Sequence, residues 1–230
     1  MFNFKIHAFL FLLVLCFFSI NAITKNDLVK QAEKHSVPLK ISISANFSSK
    51  ISIQNSTVSD SGVYYFSPPN RTRIDFNASK MIFCSVGDTT WSKSPTSDVT
   101  RSTKLGLGLP GNQGGTPSMS TPNLLSYLKS GDFSIVGEDS AAIVVKTDIT
   151  YDKQKVPFTF YIDSKAFVIK RIEFPSPMGG MFQIGYKYKL FEGHLVLDEV
   201  NTVMGSMGFT RVQLFNYQSS KKNRSFFRLF

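Results

Sequence analysis

The chain has 230 residues, of which 42% are hydrophobic and 18% are charged, a composition that excludes a disordered chain or a coiled coil. Lys and Arg outnumber Asp and Glu by 26 to 16, and the formal net charge of +10 is compatible with binding to either anionic lipid or nucleic acid. The 22 Phe and 8 Tyr residues, beside a single Trp, favour β structure.

Residues 1–22 have the three parts of a cleaved export signal. A weakly positive start containing Lys5 precedes the apolar run Ala8 to Phe18, and the segment ends in the small residue Ala22. This run of 11 residues is too short to span a ~30 Å hydrocarbon core as a helix. We therefore expect a signal peptide over 1–22 and one exported domain over 23–230, for which nucleic acid is a disfavoured ligand.

The two cysteines define an alternative and a constraint. Cys16 would be the acceptor of a lipoprotein signal, but the large Leu15 directly before it disfavours a membrane-anchored lipoprotein. After cleavage only Cys84 remains, so no internal disulfide can form. Because Cys84 ends the apolar run Met81 to Cys84, we expect a buried, inert thiol.

The first half of the mature chain begins with a predicted helix and continues in strands. Thr24 to His35 predicts a short helix with one apolar face. Apolar and polar residues then alternate from Ile41 to Ile53, which predicts a half-buried strand. Turn residues recur after it, beginning with Asp60-Ser61-Gly62, and predict an antiparallel meander as far as Trp91. Residues 94–120, rich in Gly and Pro, predict a long loop.

The second half predicts one more helix and a second run of strands. Thr121-Pro122 is typical of a helix start, and Asn123 to Lys129 predicts a short amphipathic helix. Glu192-Gly193 predicts a tight hairpin turn. Alternation and turns predict seven further strands, namely Phe133 to Val136, Ala141 to Thr150, Val156 to Ser164, Ala166 to Phe174, Met181 to Phe191, His194 to Val203 and Phe209 to Tyr217.

The pattern as a whole predicts a mainly β protein of about 11–12 strands with a few short helices. No strand–long helix–strand alternation occurs, so we expect an antiparallel rather than a parallel sheet. A sheet of this length must curl to cover its apolar face, and the short helices are the expected cover for the opening.

Residues with catalytic or metal-binding spacing are lacking in the sequence. The mature histidines, His35 and His194, are not part of a metal-ligand motif, and neither a Gly-x-Ser-x-Gly motif nor a phosphate-binding loop is present. We therefore expect no catalytic residues, no metal, no cofactor and no enzymatic activity. The basic stretch Lys221 to Arg224 predicts a solvated loop or, alternatively, a contact with a membrane surface or a partner.

The segment from Gly62 to Val99 contains an ordered series of motifs. Gly62 opens an aromatic strand, Pro68-Pro69-Asn70 is followed by two arginines, and Gly87-Asp88 precedes Trp91-Ser92-Lys93-Ser94-Pro95. In this order the motifs resemble those of the bacterial outer-membrane lipoprotein carrier family (LolA-like). The opening helix and strand also fit the start of that family.

The resemblance implies a strongly curved antiparallel sheet that forms an unclosed barrel, with short helices as a lid over an apolar cavity. It implies a monomeric periplasmic carrier, or chaperone, that binds the acyl chains of lipoproteins or lipids and moves them toward the outer membrane. Its implied partners are an inner-membrane release complex and an outer-membrane acceptor. The alternative is a non-enzymatic periplasmic module on the same fold, which senses lipoproteins or binds a protein partner.

The residues expected at the site follow from this fold. Arg71 and Arg73 are candidates for gating the lid. In the carrier family an Arg directly before the motif proline ties the lid to the sheet, whereas here that position is Pro68, which cannot form such a bond. The expected apolar lining and lid consist of Ile43, Phe47, Ile74, Phe76, Phe83, Trp91, Leu124, Leu125, Leu128, Phe158, Phe160, Phe182, Ile184 and Tyr186.

Overall fold

A computed structural model describes residues 23–35, 41–68, 71–86, 89–103, 124–130, 132–138, 141–151, 154–176 and 179–220. The expected export signal, the helix start at Thr121-Pro122 and the basic stretch Lys221 to Arg224 lie outside these ranges. Neither helix within the ranges has the length and apolar character needed to cross a membrane.

Two helices and thirteen strands make up the described part of the chain. The helices are α1 (Lys25–His35) and α2 (Leu124–Ser130). The strands are β1 (Ser42–Ile53), β2 (Ser56–Ser67), β3 (Arg71–Phe76), β4 (Ile82–Val86), β5 (Thr89–Ser94), β6 (Ser97–Thr103), β7 (Phe133–Glu138), β8 (Ala142–Tyr151), β9 (Gln154–Asp163), β10 (Ile169–Pro175), β11 (Met181–Phe191), β12 (His194–Met204) and β13 (Gly208–Ser220).

All thirteen strands form one antiparallel sheet in the order β6-β5-β4-β3-β2-β1-β13-β12-β11-β10-β9-β8-β7. Two meanders, β1–β6 and β7–β13, are joined where β1 pairs with β13. Among the described strands, β6 and β7 are the two edges, so the sheet is not closed into a barrel. This confirms the predicted fold class of an unclosed antiparallel half-barrel with short helices.

The extra strand relative to the prediction is β6, which lies inside the segment 94–120 that was expected to be a loop. Trp91 pairs with Arg101, and Ser94 pairs with Ser97 across the turn. The loop prediction is therefore wrong for residues 97–103. The segment's first residues are mostly Ser and Thr, which a strand accommodates, and its glycines come only after β6.

Asp60-Ser61-Gly62 was expected to be a turn, but β2 runs straight through it. The Asp60 carboxylate accepts hydrogen bonds from the backbone nitrogens of Ser61, Ala78 and Ser79 at 2.7, 2.9 and 3.1 Å. These bonds fasten the β3–β4 connection to β2. They also outweigh the effect of burial and hold the pKa of Asp60 below its usual value.

Helix α1 begins with a local capping arrangement. The backbone nitrogen of Asp27 donates to the Thr24 hydroxyl at 3.1 Å, and that hydroxyl donates to the Asp27 carboxylate at 2.5 Å. This satisfies a backbone donor that the first turn of a helix leaves unpaired. Leu28 and Ala32, four residues apart on one helix face, are completely buried against the sheet.

Candidate functional site

Both helices lie on one face of the sheet, which we call the inner face. Leu28 of α1 and Leu124 and Leu128 of α2 belong to the same buried cluster as the inward side chains of the central strands. The ring of Tyr127 lies 4.8 Å from the ring of Phe160 in β9. The inner face is therefore apolar, and α1 and α2, which we call the lid helices, cover part of it.

The inner face carries two rows of aromatic side chains. Phe47, Phe76 and Phe83 form the first row, with ring centroids 5.0 and 5.9 Å apart in edge-to-face contacts. The second row runs across β9, β10 and β11, where Phe158, Phe174 and Phe182 stack at 4.7 and 5.3 Å. Such contacts contribute stability in addition to that from the apolar area they bury.

Gly62 makes the first row possible. It pairs with Phe47 on one side and with Phe76 on the other, between the two rings. A Cβ atom at this position would lie 2.7 Å from the Phe47 ring and 1.9 Å from the carbonyl oxygen of Asp75. The glycine that opens the family-like motif is thus explained by packing on the inner face rather than by a turn.

The fourteen residues expected to line the cavity separate into two groups by burial. Eight are at most 8% exposed and pack as core in this conformation, namely Ile43, Phe47, Leu124, Leu128, Phe158, Phe160, Ile184 and Tyr186. Six are half-buried, namely Ile74, Phe76, Phe83, Trp91, Leu125 and Phe182. The half-buried members on the inner face are the ones that a ligand can reach without rearrangement.

Three of the expected site residues lie on the opposite, outer face. Arg73 pairs with Cys84, which pairs with Trp91, and this row alternates with the inward Ile74 and Phe83. Arg71, two residues before Arg73, is exposed on the same outer face. The structure therefore places Trp91 away from the inner face and both arginines away from the lid helices.

Contacts on the outer face account for Arg73 and for its strand neighbour Cys84. The Arg73 Nε donates to the Asp75 carboxylate at 2.7 Å, so its guanidinium is engaged by the sheet itself. Cys84 is only 3% exposed and free, and burial raises the pKa of its thiol. The expectation of a buried, inert thiol is confirmed in its burial.

Buried tyrosines on the inner face are a feature that the sequence interpretation missed, apart from Tyr186. The Tyr188 hydroxyl donates to the backbone carbonyl of Ile169 at 2.8 Å. Tyr64 and Tyr186 are 5% and 8% exposed, and neither hydroxyl bonds to any residue in the described ranges. Alternation along β11 places Tyr186 and Tyr188 on one face, but sequence carries no information on which hydroxyl has a partner.

The sheet is split at one end between β12 and β13. Their ladder begins at Val203 and ends where Glu199 pairs with Gln213. Beyond that point side chains bridge the strands, since Lys189 Nζ donates to the carbonyl of Leu214 at 3.0 Å and the Tyr217 hydroxyl donates to the carbonyl of Leu197. Lys189 also forms a 2.7 Å ion pair with Asp198.

An open groove of about 420 Å³ lies at the ends of strands β7 to β11. Its apolar surface includes Phe133, Phe158 and Met181, and its charged residues are Lys25, Lys146, Asp132 and Asp148, with Lys25 and Asp132 paired at 3.3 Å. Lys25 lies over the Phe133 ring at 5.4 Å. The groove combines apolar side chains with an equal number of cationic and anionic ones. Within the described ranges, His, Cys, Asp and Glu form no cluster of three or more that could hold a metal.

An unclosed antiparallel sheet with helices on its apolar inner face defines a class of half-barrel proteins. Sequence comparison finds no matching family model and no significantly similar curated protein. Solved structures nevertheless share the fold. A LolA superfamily protein from Nitrosomonas europaea matches with a TM-score of 0.62 at 12% identity, over 90% of this chain and 99% of the other.

Two further solved structures match equally well. A DUF1329 family protein from Desulfovibrio piger has a TM-score of 0.64 at 11% identity, over 89% of this chain and 95% of the other. A domain named as an outer membrane lipoprotein-sorting protein, from Vibrio parahaemolyticus, has a TM-score of 0.65 at 9% identity, over 89% and 97%. The resemblance found in the sequence is confirmed as a LolA-like fold.

Proposed function

We propose that this protein is a periplasmic carrier that binds the acyl chains of lipoproteins or lipids on its inner face and moves them toward the outer membrane. The observation that carries this proposal is an unclosed sheet whose apolar inner face is covered, in the described structure, by two short helices. The lipoprotein-sorting name of a protein with the same fold supports it. Export by residues 1–22 and cargo exchange with inner- and outer-membrane partners belong to the same proposal.

A carrier must hold its cargo about as well as a bilayer does, and no better. Each methylene moved out of water gains ~0.8 kcal/mol, so a 16-carbon chain gains roughly 12 kcal/mol at most. Here Leu28, Leu124 and Leu128 already occupy the inner face. An incoming chain would displace them, and their exposure would offset part of the gain, which keeps the exchange reversible.

The lid helices are well suited to displacement. α1 has 11 residues and α2 has 7, both below the length at which an isolated helix is stable in water. They are joined by an ion pair between Lys129 and Glu33 at 2.8 Å whose side chains are half exposed, and such pairs contribute about 1 kcal/mol or less. Packing on the sheet therefore holds the lid, and an acyl chain can replace that packing.

The groove at the ends of β7 to β11 supplies a place for the polar end of the cargo. Phe158 links it to the second aromatic row, while Lys25, Lys146, Asp132 and Asp148 give it a polar, charged lining. In the proposed complex the chain lies along the inner face and its polar end stays in the groove, where water and the charged side chains of both signs solvate it. This arrangement requires no covalent chemistry.

The proposal is tested with Phe182→Asp, which places a charge among the aromatic rings of the inner face. Phe182 is half-buried, so the variant is expected to fold, but an uncompensated carboxylate there opposes entry of an acyl chain. Titration with a fluorescent fatty-acid analogue should show saturable binding by the wild type and at least tenfold weaker binding by the variant, since ~1.4 kcal/mol is a factor of ten.

Gln183→Asp is the matched control, because Gln183 is the exposed neighbour on the outer face of the same strand. It adds the same charge and should leave binding unchanged. Absence of saturable binding by the wild type would overturn the carrier proposal. Recovery of a defined protein partner without lipid would instead favour the sensing or regulatory alternative.

A further inference from the structure

Tyr186 is buried on the inner face in an unusual state for a hydroxyl. It is 8% exposed and forms no hydrogen bond with any residue in the described ranges. Its neighbour on the same face, Tyr188, donates to the carbonyl of Ile169 at 2.8 Å. A buried hydroxyl without a partner costs free energy that Phe at the same position would not.

The position of Tyr186 puts it beneath the lid. Ile184, two residues earlier in β11, pairs with Ile172, which pairs with Phe160. The ring of Tyr127 from α2 lies 4.8 Å from the ring of Phe160. Burial, followed by the proximity of Tyr127 and Tyr188, raises the pKa of Tyr186, so its hydroxyl keeps its proton and can donate it to a hydrogen bond.

The surroundings limit what this hydroxyl can bind. In the described structure Glu199 is the one charged residue that is buried, and it lies on the outer face. Besides burial, the neighbours that raise the pKa of Tyr186 are Tyr127 and Tyr188, neither of which is a cation, so an ionised carboxylate beside it would lack a compensating charge. A neutral carbonyl oxygen needs a single donor, which one tyrosine hydroxyl supplies.

We propose that the Tyr186 hydroxyl binds a carbonyl oxygen of the cargo, once α2 has moved aside. This carbonyl belongs to the ester or amide that links an acyl chain to the rest of the lipid or lipoprotein. This assignment rests on the proposed carrier function and specifies its ligand class as acyl esters and amides rather than plain hydrocarbon. The site recognises the chemical group that acylated lipids and lipoproteins share.

The test compares two competitors of a fluorescent fatty-acid analogue, namely methyl palmitate and hexadecyl methyl ether, which lacks the carbonyl. The wild type should bind the ester about two- to tenfold more tightly than the ether, the range expected for one net hydrogen bond. Tyr186→Phe should abolish this preference, leave ether affinity unchanged, and keep or raise the midpoint of thermal unfolding.

Tyr188→Phe is the control, because its hydroxyl already has an intramolecular partner. It should lower the unfolding midpoint and retain the ester preference. Three results would each overturn the assignment to Tyr186 and leave the carrier function standing. They are an ester preference that survives Tyr186→Phe, equal affinity of the wild type for both competitors, and a lowered unfolding midpoint in Tyr186→Phe. Failure of both competitors to bind the wild type would overturn the carrier function together with it.

Discussion

At Gly62 the inner face has no room for a side chain. A Cβ atom would meet a backbone oxygen at 1.9 Å and an aromatic ring at 2.7 Å, so Gly62→Ala forces β2 and β3 apart. We expect a loss of about 1–3 kcal/mol in the free energy of unfolding, measured with urea, as is usual for overpacking.

Gly137→Ala in β7 is the control for that substitution. The nearest atom to its added methyl group lies at 3.8 Å, in ordinary contact. Because alanine lowers the conformational freedom of the unfolded chain, this variant should be neutral or slightly stabilising. Equal effects of the two substitutions would contradict the close approach of Phe47 and Asp75 to Gly62.

Glu199 is a buried charge on the outer face whose ionisation stabilises the sheet. Its side chain is 4% exposed and accepts hydrogen bonds from Arg211 Nε at 2.9 Å and Asn201 at 2.8 Å, beside Lys187 at 2.9 Å. Burial alone would raise its pKa, but Lys187 and Arg211 outweigh burial and hold the pKa below the usual 4.5.

A lowered pKa in the folded state fixes how the stability changes with pH. The contribution of ionised Glu199 is complete above about pH 4.5 and is lost as the pH falls through the lower folded-state pKa. Glu199→Gln should therefore cost about 2 kcal/mol at pH 7, measured by urea unfolding, and progressively less below pH 4.5. As a control, substitution of the exposed Glu192 by Gln should leave the free energy of unfolding close to that of the wild type at either pH. If Glu199→Gln lowered the free energy of unfolding equally at all pH values, ionised Glu199 would not be the stabilising group.

At the scale of elements, periodicity was a reliable predictor wherever one face of an element is buried. The first helix was expected from Thr24 to His35 and spans Lys25–His35, while β11 has the expected bounds. Glu192-Gly193 forms the expected turn, with φ values of 48° and 75°. In these segments burial and local turn chemistry favour the same structure, so local sequence is sufficient to predict the bounds of the elements.

Turn-forming residues led to a wrong prediction at 60–62, where the same chemical properties serve contacts with other parts of the chain. Asp60 binds backbone nitrogens, as it would in a turn, but those nitrogens belong to the β3–β4 connection. At Gly62 glycine is required because the Phe47 ring of β1 leaves no room for a Cβ, and not because the chain turns. Both residues have the chemistry of a turn, but local sequence does not show whether that chemistry serves a turn or a contact with another strand.

Register is the part of the site that local sequence cannot supply. Trp91 in β5 and Phe83 in β4 are both aromatic residues that were expected to face inward, yet pairing puts them on opposite faces, since a shift by one residue exchanges the two faces of a strand. The same limit applies to the split between β12 and β13, where Tyr217 and Lys189 bridge strands that are close only in the folded chain.

For the molecule as a whole, the proposed function requires that the lid and the cargo compete for one surface. Leu28, Leu124 and Leu128 are buried on the inner face in this conformation. If an acyl chain replaces them, the lid helices lose the packing that holds them, while the ladder between β1 and β13 is untouched. Loading should therefore loosen the lid without loosening the sheet.

Hydrogen exchange followed by mass spectrometry measures this directly. A saturating fatty-acid analogue should speed amide exchange in α1 and α2 at least about tenfold, the factor that corresponds to ~1.4 kcal/mol, and leave exchange in β1 and β13 unchanged. Phe182→Asp, which is expected not to bind the chain, should show no such change. Slower exchange in the lid helices on loading would mean that the chain lies beneath a closed lid, because a ligand that adds contacts to the helices stabilises them, and displacement would then be the wrong mechanism.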